Sequence, residues 1–175
     1  MIQKLGPKLL WSLGFFIIFM ILLPKTPLWY ALESQLKSYN IIIDDERINE
    51  NLSSLEITQG TLYFGNMQIA RMQEATLSVW LLHNTLSIND LYFANSLKML
   101  QGIQIKSAIL AHSIITPLTL AIEASGSFGS LEGTIDLQTR KILLTIKPTA
   151  VLKQNSMIMR MLKKTKEGYL YAKTF

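Results

Sequence analysis

Two histidines, three adjacent acids and a serine among glycines are the residues of this chain whose types could do chemistry. His83 and His112 lie 29 residues apart. A hydrolytic zinc site of the H-E-x-x-H kind needs two histidines one helical turn apart with a glutamate between them, and neither histidine has that neighbourhood. Asp44, Asp45 and Glu46 form an acidic run. Calcium loops instead space their oxygen ligands at alternating positions around a glycine, so the run reads as a solvated loop. Gly126-Ser127-Phe128-Gly129-Ser130 lacks the G-x-S-x-G spacing of a nucleophile elbow. Gly126, Gly129 and Gly133 precede no helical pattern and so make no phosphate loop. The chain has no cysteine, which removes thiol nucleophiles, thiolate metal sites and disulfides. These residue types predict no catalytic centre, no metal and no cofactor, and the chain is expected not to be an enzyme.

What the chain has to position is an apolar surface. In residues 131–137 Leu131, Gly133, Ile135 and Leu137 alternate with Glu132, Thr134 and Asp136. The following run repeats the pattern, with Ile142, Leu144 and Ile146 against Thr145 and Lys147, and Leu143 as the exception. Side chains on a strand point alternately to opposite faces, so these are two half-buried strands joined by the polar Gln138, Thr139 and Arg140. Their shared face, Leu131, Ile135, Leu137, Ile142, Leu144 and Ile146, is either the inside of a sandwich or the lining of a lipid groove. The short strands suffice for a closed sandwich, and covering by a second sheet is the arrangement that packing favours.

The elements around that hairpin follow from patterning. A chain of 175 residues, 49% of them hydrophobic, accommodates one folded domain and a membrane segment. Residues 9–23, LLWSLGFFIIFMILL, carry no charge and follow Lys4 and Lys8. Fifteen residues fall short of a hydrocarbon core about 30 Å thick. Continuation through Lys25 toward Trp29 and Tyr30 supplies the missing length if the lysine snorkels. A signal peptide would need small residues before its cleavage point, and Trp29 occupies that place for a cut after Ala31. Residues 1–25 are therefore expected to be a cytoplasmic stub and single-pass anchor, with the N-terminus inside by the positive-inside rule. Residues 26–40 follow as an amphipathic helix with Pro27 in its first turn and Leu28, Leu32, Leu36 and Tyr39 on one face. This helix is expected to close the start of the sheet, because its polar side is not basic enough for a membrane surface.

Residues 41–175 read as a β-rich domain. Turn signals at Gln59-Gly60, Gly65-Asn66, His83-Asn84, Asn89-Asp90, Gly102 and Ser125-Gly126 have the spacing of an antiparallel meander. A basic amphipathic helix is expected near 151–164 and a last strand over 169–175. The fold class expected is mainly β: a transmembrane helix, then an antiparallel β-meander, as curved sheet or sandwich, with one or two short helices. The net charge of +5 sits at the two ends of the chain. Lys147, Lys153, Arg160, Lys163, Lys164, Lys166 and Lys173 crowd the last part against Glu167 alone, and the middle is near neutral. Nucleic-acid binding needs a basic face interleaved with aromatics, so no nucleic-acid partner is expected.

Gly60 to Gly65 read G-T-L-Y-F-G after the strand SLEIT. Further on come S-G-S-F-G-S-L-E-G-T-I-D-L, K-I-L-L-T-I-K-P and a closing E-G-Y-L-Y-A-K-T-F. This order resembles the type II secretion system protein N family and its AsmA-like relatives, with Tyr63 where that family commonly has tryptophan. The resemblance covers roughly residues 24–175. It implies a bacterial inner-membrane protein with a periplasmic domain, an accessory component of a type II secretion-like machine acting through protein-protein contacts with envelope or secretion-system proteins. The AsmA-like relatives imply the alternative, a lipid-binding or lipid-transfer module with an apolar groove.

Overall fold

The computed structural model describes residues 11, 12, 14–16, 18, 19, 22 and 24–175 except 81. The stub and much of the proposed anchor, Lys4 and Lys8 included, lie outside the described residues. Of the run's described residues, Trp11, Phe15, Phe16, Ile18, Phe19 and Leu22 are helical and exposed. Among the described residues no helix is long and apolar enough to cross a membrane.

The domain is mainly β. Helix α1 (Thr26–Ser38) leads into β1 (Ile41–Asp44), β2 (Arg47–Glu50), β3 (Ser54–Thr58), β4 (Thr61–Phe64), β5 (Met67–Val79) and β6 (His83–Phe93). After a short 3-10 turn (Lys98–Leu100) come β7 (Gln104–Ser113), β8 (Thr116–Gly126), β9 (Gly129–Asp136) and β10 (Lys141–Pro148). Helices α2 (Ala150–Gln154) and α3 (Ser156–Arg160) then precede β11 (Lys163–Lys164) and β12 (Tyr169–Thr174). All twelve strands belong to one sheet in the order β1-β4-β5-β6-β7-β8-β9-β10-β12-β11, with β2 and β3 alongside β5. Every pairing is antiparallel.

A crease crosses the first half of the sheet and decides which residues face inward. Asp45, Gln59 and Asp90 have φ of 62°, 63° and 51°, left-handed backbone in which one residue is taken out of the alternation. On one side of the crease Ile43, Leu62, Met72 and Leu91 point inward. On the other side Ile48, Ile57, Ala75 and Ile88 do, at the opposite parity in each strand. The Asn89-Asp90 pair, expected as a turn, lies inside the continuous β6, whose register with β5 and β7 does not shift there. Backbone bonds from Gln59 N–H to Gln73 O (2.9 Å) and Met72 N–H to Gly60 O (2.8 Å) carry the β3–β4 strand past β5 without a gap.

Two helical covers each bury part of the inner face. On α1, Trp29 packs over Ile43, Leu55, Ile57, Met72 and Ala75, with Leu36 beside it. The buried stripe of this helix is Trp29, Glu33 and Leu36, and Leu28, Leu32 and Tyr39 face outward. The indole outweighs two leucines in the area it can bury, and Glu33 is ion-paired with Lys37, 2.8 Å away. At the other end Leu152, Ile158 and Met159 cover Ile103, Phe128 and Ile146. The single helix expected over 151–164 is two. Asn155 leaves the helical region, its side chain accepts the Ile158 N–H (3.2 Å), and its amide donates to Met99 O (2.6 Å). Its end is also taken by β11, paired to β12.

The carboxylate of Glu50 accepts the N–H groups of Lys25 (2.7 Å) and Thr26 (3.3 Å) and the Thr26 hydroxyl, tying the start of α1 to the sheet. These bonds, the Thr26 hydroxyl foremost, lower the Glu50 pKa from its ordinary 4.5. A lowered carboxylate pKa stabilises the fold above the unfolded value and loses that contribution as pH falls through the folded one. Glu50→Gln is therefore expected to be less stable than the native chain at pH 7. The gap, read as the difference in urea midpoints, is expected to shrink as the pH drops below 4.5. A gap independent of pH would contradict this anchoring role.

Candidate functional site

The residues with catalytic types do not converge. In the β6–β7 register His83 lies opposite Ser113 and Asn84 opposite His112. The two imidazoles therefore sit on neighbouring strands but opposite faces. The Nε2 of His112 lies 3.1 Å from Pro117 O. Asp44 accepts the Asp45 N–H (2.9 Å) within the crease. Ser127 Oγ accepts the Gln104 N–H (2.9 Å) and donates to Gly102 O (3.0 Å), so its hydroxyl holds a loop. Among the described residues no group of three or more His, Asp or Glu is placed to hold a metal ion. A surface cavity of about 690 Å³ lies along the crease, lined by Asp45, Thr58, Gln59, Thr61, Arg71, Met72 and Gln73, a mixed set without a nucleophile and base in contact.

The inner face of the sheet is continuous. One cross-strand row runs Leu55, Leu77, Leu86, Leu110, Ile122, Gly133, Leu144 and Tyr171 over eight strands. A parallel row runs Ile48, Ile57, Ala75, Ile88, Ala108, Ala124, Leu131, Ile146 and Tyr169. A third begins at Val79 and Asn84 and continues His112, Leu120, Ile135, Ile142 and Lys173. Cross-strand neighbours about 5 Å apart make the first two rows continuous strips, and the third is apolar from Leu120 to Ile142.

The covers do not reach the middle of this surface. Leu110, Leu120, Ile122, Ile135, Ile142 and Leu144 belong to neither buried cluster and are all half-buried. Of the six residues expected on the hairpin face, Leu131, Ile135, Ile142 and Leu144 are half-buried. Ile146 is buried under α2, and Leu137, just past β9, is exposed. Strand pairing brings Ile135 against Ile142 and Leu131 against Ile146. Leu110, Leu120 and Ile122 extend the surface, and alternation within β7 and β8 is the signal that marks them. Among the described residues all the strands belong to one sheet and the buried residues form two separate clusters, with no second sheet across these rows.

The open floor spans β7, β8, β9, β10 and β12, about 19 Å across at about 4.8 Å per strand. Gly133 forms a notch between Ile122 and Leu144, and a Cβ there would collide with the Leu143 carbonyl oxygen. Aliphatic side chains fill most of the rest, Tyr169 and Tyr171 close it on β12, and polar ones, Asn84, His112 and Lys173, stand at one end. On the outer face Ser107, Glu123, Ser125, Ser130, Glu132, Thr145 and Lys147 surround a shallow hollow that Ile109 also lines. An aliphatic floor with polar groups at one end suits an amphiphile whose chain lies along the rows. No family model, curated protein or solved structure matches the chain, so its function is argued from this geometry.

Proposed function

We propose that the protein is an inner-membrane-anchored periplasmic component of the bacterial envelope whose curved sheet holds lipid acyl chains along its half-covered apolar face. The observation that carries this reading is the strip of six half-buried aliphatic residues from Leu110 to Leu144 that neither helical cover reaches. Each methylene removed from water contributes about 0.8 kcal/mol. A chain of a dozen methylenes thus has roughly 10 kcal/mol to set against the entropy of confinement. The exposed apolar helical residues from Trp11 to Leu22 support the anchor. Native mass spectrometry of the full chain, released from nonionic detergent, is expected to find co-purifying phospholipid or acyl-chain mass. Release of the bare chain alone under the gentlest conditions would count against the groove.

The secretion-system role implied by the family resemblance is a second reading. It is favoured by β1, an edge strand with one unpaired side and Ile42 exposed on it. Such an edge can accept a strand from a partner protein. Normal secretion and an unaltered envelope after deletion of the gene would count heavily against it.

A further inference from the structure

One edge of the sheet has apolar turns where turns are ordinarily polar. The hairpin between β2 and β3 presents Leu52, that between β5 and β6 presents Trp80 and Leu82, that between β7 and β8 presents Ile114 and Ile115, and Leu137 follows β9. Leu52, Leu82 and Ile115 are 66%, 60% and 85% exposed, and the other three are exposed as well. Turns favour Gly, Pro, Asn, Asp and Ser because these residues suit turn geometry or bond their own backbone. A pair of β-branched isoleucines at a tip serves neither purpose. At the opposite edge the turn residues themselves are polar, Gly65-Asn66 and Asn95-Ser96, with Phe64, Met67 and Met99 exposed beside them. Scattered exposed apolar residues are ordinary on any protein, but an aligned row marks an interaction surface.

The tips are tied into one edge. Val79 N–H donates to Ser53 O (3.2 Å), Ile114 N–H to Leu82 O (3.1 Å) and Leu137 N–H to Leu118 O (2.8 Å). Asp136 accepts the N–H groups of Thr139 and Gln138, both at 2.8 Å, which fixes the turn after Leu137. At the β9–β10 turn Arg140 stands beside Leu137, and Lys141 and Lys173 lie just behind it, with Lys141 paired across β10–β12 to Thr174 and Lys173 to Ile142. Apolar side chains at the tips of the other three turns, with Lys and Arg gathered at the fourth, are the kinds of groups found at a membrane interface.

The chain also enters the domain at this edge. The Lys25 N–H is bonded to Glu50. Glu50 pairs with Leu55 and Leu55 with Leu77, two residues from Val79 at the end of β5. The apolar run 9–23 therefore joins the domain on the side where the apolar tips project.

We infer that this edge inserts its hydrophobic turns into the phospholipid bilayer, so that the domain stands on the membrane with its strands rising from it. The row Leu120, Ile135 and Ile142 is then the part of the inner face nearest the lipid. The inference rests on the reading of residues 9–23 as an anchor for its choice of bilayer, and it stands whether or not the inner face is loaded with a chain.

The absence of cysteine allows single-site labelling against no background. The full chain carrying Ile115→Cys, Leu82→Cys or, at the opposite edge, Asn66→Cys is labelled with an environment-sensitive fluorophore. It is then reconstituted into phosphatidylethanolamine and phosphatidylglycerol vesicles. Doxyl-labelled lipid is expected to quench the labels at Ile115 and Leu82 at least about threefold more than the label at Asn66, and aqueous iodide is expected to quench them less. Equal quenching at the two edges would overturn the inference while leaving the anchor intact. A chain that does not associate with the vesicles would overturn both. Shielding from iodide without quenching by doxyl lipid would also overturn it, because a protein partner or a second copy would then cover the edge.

Discussion

Replacing Leu55 by alanine is expected to lower the unfolding free energy by about 3–5 kcal/mol, whereas the same replacement at Leu144 is expected to lower it by only about 1 kcal/mol. The two leucines lie in one cross-strand row, six strands apart, so their backbone surroundings are alike. Leu55 is 0% exposed and is enclosed by Trp29, Ile57 and Ala75, so its loss leaves a cavity that the helix above cannot collapse into. Leu144 is half-buried and lies outside both clusters. Its truncation removes part of a transfer term and creates no closed void. Urea titration of both variants in the same detergent reads the difference. Equal losses would mean that the middle rows are core, and the case for a groove would fall.

Leu144→Asp is expected to reduce the phospholipid retained per chain at least tenfold while leaving the fold in place. An ionised carboxylate next to a dry acyl chain costs several kcal/mol, and tenfold is only about 1.4 kcal/mol. In the empty chain the same carboxylate reaches water through the open side of the sheet, so the cost falls on the loaded state. Leu143→Asp is the control, because Leu143 is exposed on the opposite face of β10. Lipid phosphorus per mole of purified chain measures the effect. Equal retention in both variants would place any bound lipid elsewhere on the protein.

The parts of this architecture that could be read from the sequence are those with short-range causes. Alternation in Leu131, Ile135, Ile142 and Leu144 marks a strand pair because a two-residue period has one structural meaning, and the β9–β10 register confirms the pairing. The crease is not legible in the same way. Asp90 in a left-handed conformation serves a crease within a strand as readily as a turn, and only the unbroken register of β6 with β5 and β7 reveals which it is. The buried face of α1 escaped the spacing rule because Leu28, Leu32 and Leu36 recur every four residues as well as Trp29 and Glu33 do. The choice between them is made by the sheet underneath. Asn155 carries the same lesson, since its break of the C-terminal helix depends on a bond to Met99, 56 residues away.

The surface proposed as functional was visible only in part for the same reason. Six hairpin residues are apolar by alternation, but the row that joins them to Leu110, Leu120 and Ile122 exists through long-range pairing of β7, β8 and β9. Whether that row is closed depends on how far α1 and the α2–α3 pair extend over it, which no local pattern encodes. The most direct measurement of the central claim places the photo-crosslinker p-benzoylphenylalanine in the full chain, in living cells, at Leu144 on the inner face or at Leu143 on the outer one. After irradiation, mass spectrometry is expected to find a phospholipid-mass adduct at position 144 and none at position 143. The absence of a lipid adduct at 144, or equal adducts at both positions, would contradict the account.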